Sequence, residues 1–314
     1  MAALSRTPEL LLEFIRLRQS ALAAALLVLV AACAPQPTPE PDLRGEALEK
    51  LYAITADRIR AGGGLRTERN PPDVPVSVES LARNFERVAF FSEFSANGTQ
   101  LRNRARPITL TRWEDPIRMG VLFGPSISDA QRRRDLNDVR ALLRRFRNAT
   151  PLDIRYVPDG DINFLVMVMT RDEQLAFADQ ILEARSFPAS IAADLRASRP
   201  SLLCSANLIS ADDGRRVIGF ASALIKAEHR EVMRTSCFHE ELTQALGLVN
   251  DSFSARPSIF NDDEEFALLT LHDEILLRML YDDRLRPGMT AAEARPMLMQ
   301  IAAEAAAAAG VVFR

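Results

Sequence analysis

The sequence predicts an α+β protein with a mixed, twisted sheet, on three observations. Short apolar runs are bounded by turn residues, amphipathic helical stretches lie between them, and the last third turns helical. With 47% hydrophobic and 26% charged residues over 314 positions, the chain can bury a sizeable core. Its 39 Lys+Arg nearly balance 42 Asp+Glu, giving a net charge of -3. No global field then favours nucleic acid or anionic lipid, and a nucleic-acid partner is not expected.

Taken in order, residues 42–61 place apolar side chains three and four apart, an amphipathic helix ended by Gly62-Gly63-Gly64. The Gly-, Pro-, Arg- and Asp-rich stretch up to residue 76 reads as a loop, so the globular domain is expected over residues 77–314. Residues 88–94 and 117–123 are short apolar and aromatic runs that read as strands. Residues 129–147 set Leu136, Val139, Leu142, Leu143 and Phe146 on one face and many arginines on the other, which reads as a helix with a solvated arginine side. Residues 152–157 and 162–169 are further strands, the second nearly continuous in apolar residues as an interior strand should be. A helix over 171–184 follows, then a hairpin of 202–210 and 216–226 around Ala211-Asp212-Asp213-Gly214. An alanine-rich helix is expected over 291–309. The glycine run lacks the preceding strand and following lysine of a phosphate loop, and there is no dinucleotide fingerprint.

At the N-terminus, Arg6, Arg16 and Arg18 precede an apolar run over 21–32 that is the length of a signal-peptide core and short of the ~20 residues needed to span a bilayer. It ends in Val30-Ala31-Ala32-Cys33, which resembles the lipobox of bacterial lipoproteins. The resemblance implies a signal peptide over 1–33, lipidation of Cys33, and anchoring to a membrane at the periplasmic face of the envelope. Ala34 after the cysteine fits the outer membrane better than the inner. Pro35, Pro37, Pro39 and Pro41 then make a stiff tether, so that residues 34–76 are a proline-rich spacer with an accessory helix. In such an oxidising compartment the two other cysteines, Cys204 and Cys237, are an even pair that can form a disulfide; two separate buried thiols are the other reading.

Residues 240–251 read E-E-L-T-Q-A-L-G-L-V-N-D. Side chains four apart share a helix face, so Glu240 and Gln244 project together, with Glu241 offset beside them and Gly247 free to turn the chain back. This segment resembles the metzincin motif H-E-x-x-H-x-x-G-x-x-H of zincin-type metallopeptidases with every spacing kept. Glu240, Gln244 and Asn250 stand in the three histidine positions, Glu241 at the general base and Gly247 at the glycine. Ser258-Ile259-Phe260 is similar to the Met-turn of the matrixin branch, with Phe260 replacing the methionine, and residues 268–281 look like a matrixin closing helix. The resemblance implies a zincin-like fold, a candidate base at Glu241 and candidate metal ligands at Glu240, Gln244 and Asn250 or Asp251.

With E-E-x-x-Q-x-x-G-L in this segment and Leu280-Tyr281 and Arg286-Pro287-Gly288-Met289 later, the whole chain also looks like a family of exported bacterial lipoproteins of unknown function. Starting the motif at His239 fails, because the second ligand would be Thr243 and the glycine would fall one place late. His229 and His272 carry no motif and read as structural. Carboxylate and carboxamide oxygens are harder donors than imidazole, so zinc affinity should be weakened and calcium, magnesium or manganese better suited, if any divalent ion binds. Two functions follow from the resemblance. One is a non-catalytic module holding a peptide or envelope protein; the other is a divergent metallopeptidase with Glu241 as general base.

Overall fold

A computed structural model describes residues 40–92, 106–211 and 214–311; Cys33 and the lipobox lie outside them. Among the described residues no helix is long and apolar enough to cross a membrane. Eight helices and seven strands are described: α1 (Gly45–Ala61), α2 (Val78–Ala89), β1 (Phe91–Ser92), β2 (Arg106–Pro107), β3 (Ile117–Phe123), α3 (Asp129–Ala149), β4 (Ile154–Tyr156), β5 (Phe164–Met169), α4 (Arg171–Ala184), α5 (Ala189–Ala197), β6 (Cys204–Ser210), β7 (Ile218–Lys226), α6 (Glu231–Gln244), α7 (Leu271–Leu280) and α8 (Ala291–Ala308).

The main sheet has the order β4-β3-β5-β7-β6. The first four strands run parallel, and only β6 at the edge is antiparallel, paired with β7. β5 is buried throughout, as its unbroken F-L-V-M-V-M predicts. Its alternation decides the layers. Phe164, Val166 and Val168 join the main core with Phe146 of α3 and Phe238 and Leu242 of α6. Leu165, Met167 and Met169 meet Ala178, Ile181, Ile191 and Leu195 of α4 and α5 on the other face. Each fully buried Phe, Leu or Met contributes about 2–3 kcal/mol by removal from water. The C-terminal helices α7 and α8 pack on α2 and on each other, and α7 also contacts α3.

Three readings of the sequence change. The run at 88–94 is not a strand of the sheet: α2 continues to Ala89, and only Phe91–Ser92 pairs, in a small ribbon with β2. Helix α2 puts Leu81, Phe85, Val88 and Ala89 inward and is capped reciprocally by Ser77 and Ser80. The arginine side of α3 is only partly solvated, because Arg145 reaches Glu274 of α7 (2.6 Å) and Leu269 O (2.7 Å).

The third change concerns α1. The compact unit begins at Asp42, so α1 belongs to it and is no mere accessory to a spacer. Leu48 and Tyr52 are buried, and the Tyr52 ring lies 4.0 Å from that of His229. After α1 the chain pairs along the loop before α7: Leu65 N donates to Glu264 O (2.8 Å), Ala267 N to Arg66 O (2.8 Å) and Leu271 N to Arg69 O (2.7 Å). The stretch read as a loop is thereby pinned to the C-terminal part.

Candidate functional site

Helix α6 crosses beneath the edge of the sheet, in contact with β6, β7 and α3. Its last turn is clamped from outside: Trp113 Nε1 donates to Ala245 O (2.9 Å), and Tyr281 OH to Leu246 O (2.7 Å). Burial raises the Tyr281 phenol above its ordinary pKa and keeps it a neutral donor. Gly247 then reverses the chain with φ +118°, where a Cβ would fall 2.3 Å from Thr111 O. Only glycine fits both the dihedral and the space.

The resemblance put Glu240, Glu241, Gln244, Asn250 and Asp251 together, and the structure brings together the first two. A carboxylate oxygen of Glu240, one of Glu241 and the Cys204 sulfur all lie within 4.8 Å of one another. Cys204 at the start of β6 is bonded to Cys237 of α6, with Cα atoms 5.8 Å apart. Cys237 precedes Glu240 and Glu241 by three and four residues, so the disulfide shares their helix face. That spacing was the signal available in the sequence. Gln244 is half-buried one turn beyond Glu240.

Among the described residues, Asp251 is not part of this acidic cluster. Asn250 is turned toward α2, its amide nitrogen donating to Arg87 O (3.0 Å) and Asp251 O (2.8 Å). Its Oδ1 is buried without a hydrogen bond. His239 is structural: its Nδ1 accepts from Leu269 N (2.8 Å), and burial, with the Arg145 charge, lowers its pKa to about 3. Below the helix, the turn carrying Ser258 and the buried Phe260 is held by Asp273 of α7. That carboxylate accepts from Ser258 Oγ (2.5 Å), Ile259 N (3.2 Å) and Thr270 N (2.8 Å). The neighbouring His272 accepts from Asn84 Nδ2 at 3.0 Å.

Over residues 78–300 the chain matches the family described as protein of unknown function (DUF2927). The chain belongs to that family. No curated protein and no solved structure matches it. The span shared with DUF2927 begins with α2 and ends within α8, so it holds the sheet, α6 and the clamp, and leaves α1 outside.

The donors of this DUF2927 member do not fit zinc as they stand. The nearest imidazole is engaged through Nδ1 with Leu269, and the nearest sulfur is tied up in the disulfide. What remains is oxygen, and zinc in proteins takes mostly imidazole and thiolate.

The outer edge of the sheet has a definite register beside this cluster. Ala221 N donates to Asn163 O, next to β5, so Ala221 spends its backbone groups on that side. Its partner across the antiparallel pair, Leu208, therefore turns its own N–H and C=O away from β7, as does Ala206 two residues earlier.

Proposed function

We propose that this protein is a lipid-anchored envelope protein whose zincin-like domain binds an extended peptide along β6 without cutting it. The observation that carries the reading is the outer edge of β6, which starts at the disulfide to α6 and pairs with no further strand among the described residues. An added strand would pair with the backbone groups of Ala206 and Leu208 and pass Glu240 and Glu241. The lack of a soft donor set beside Glu241 argues against a metallopeptidase reaction, and the order of elements, a mixed sheet followed by the clamped helix and its glycine turn, supports the zincin-like reading.

The test is a library of extended peptides screened for binding by fluorescence anisotropy. Leu208→Pro removes an edge donor, and should weaken a selected peptide by about five- to tenfold, at roughly 1–1.5 kcal/mol per hydrogen bond lost, while the circular dichroism stays native. Equal affinity in that variant would exclude the edge. Cleavage of bound peptides, abolished by Glu241→Gln, would replace binding with catalysis. For the anchor, Cys33→Ser should release the protein from membranes.

A further inference from the structure

We propose that the Cys204–Cys237 disulfide closes a latent metal site, and that its reduction frees two thiols which, with Glu240 and Glu241, bind one zinc-class divalent ion. The inference goes beyond peptide binding and does not depend on it. The four potential ligands, two sulfurs and two carboxylates, come from one turn of α6 and the first residue of β6; the Cys237 sulfur lies outside the close group and is placed by its bond to Cys204. The sulfur of Cys204 and one oxygen from each glutamate are already within 4.8 Å of one another. Bonds of 2.0–2.3 Å in a tetrahedral zinc site place its ligand atoms ~3.3–3.8 Å apart. Those three atoms therefore have to close in by only about 1 Å, while the Cys237 sulfur must part from that of Cys204 and take the fourth position.

Position favours the site as well. Cys204, Cys237 and Glu241 are 8%, 0% and 5% exposed or less, so the ion would sit at the buried junction of strand and helix with Glu240 toward its rim. Neither carboxylate is unpaired in the oxidised form, so metal binding exchanges contacts for bonds.

The chemistry balances with a dithiol reductant of the thioredoxin type. Its two thiols become a disulfide, two electrons and two protons pass to the cystine, and Cys204 and Cys237 become thiols. The metal then displaces both thiol protons to solvent. Two thiolates and two carboxylates so close together would repel strongly, and the charge of the bound ion offsets that repulsion. Thiolates also convert a hard oxygen set, poorly matched to zinc, into a mixed one that suits it.

The experiment uses the full chain carrying Cys33→Ser, which leaves Cys204 and Cys237 as its only cysteines. Oxidised and dithiothreitol-reduced samples, desalted without oxygen, are titrated with cobalt(II) and then zinc. The reduced chain should bind one cobalt with thiolate-to-metal charge-transfer absorption, release two protons and give the ion up to zinc. The oxidised chain should show no such band. Glu240→Gln with Glu241→Gln should weaken the reduced chain's affinity at least about tenfold.

Should reduction loosen the fold, stoichiometric zinc should restore the melting temperature toward that of the oxidised chain. A reduced chain that gives no charge-transfer band and no zinc-dependent rise in melting temperature overturns the proposal. So does equal affinity in the Gln variant.

Discussion

Gly247 and His239 are single positions on which the shape of α6 depends. Gly247→Ala forces a Cβ against the Thr111 carbonyl at a left-handed dihedral, and should cost about 3 kcal/mol in urea unfolding; a loss below ~0.5 kcal/mol would mean that the turn relaxes freely. His239 is held neutral in the fold down to about pH 3, whereas the unfolded chain protonates it near 6.5. Between those values the unfolded chain binds more protons, so stability falls as the pH falls through the window. His239→Asn keeps an acceptor for Leu269 N but does not titrate. Its deficit against the parent at pH 7 should shrink by about 2 kcal/mol at pH 4.5, measured by urea unfolding, and an unchanged deficit would show that His239 does not carry the acid sensitivity. The spacing of residues 240–251 made Gly247 readable in advance. His239's partner, a backbone N–H thirty residues away, left no trace in the local pattern.

At the level of elements, the strands were legible wherever both faces are buried, as in β5, or where a turn signal joins two runs, as in β6 and β7. Helix α2 was not, because the V-A-F-F run at 88–91 is too short for its period to distinguish strand from helix. Its Ser77 cap and the apolar positions 81, 85 and 88 held the helical signal. Likewise the motif placed Glu240 and Glu241 on α6, but the direction of Asn250 depends on how the loop after Gly247 meets the end of α2. The tie between β6 and α6 closes a loop of 33 residues. Cys204→Ser with Cys237→Ser should therefore lower stability by about 3–4 kcal/mol in metal-free buffer, read from chemical unfolding. A loss under ~1 kcal/mol would mean that the packing of α6 under the sheet fixes β6 without the covalent link.

Across the whole molecule, the contacts that join the first helix to the rest involve residues far apart in the chain, which is why α1 read as an accessory helix of the spacer. Beneath it lies Lys226, 2% exposed, whose ammonium donates to Tyr52 OH (2.9 Å) and to the carbonyls of Arg199 and Leu202. Burial of an amine is tolerated when all its protons are taken up in this way. Tyr52→Ala should remove the lid while leaving the sheet intact. The chain has only two lysines, the exposed Lys50 and this one. An amine-acylating reagent should therefore mark Lys50 at once and Lys226 only as often as α1 lifts, with the Tyr52→Ala variant marked faster at Lys226 alone. Equal labelling of the two lysines in the parent would mean that α1 is open most of the time. With arginine serving nearly everywhere else that a cation is needed, the two amines make the chain its own stopwatch for the docking of its first helix.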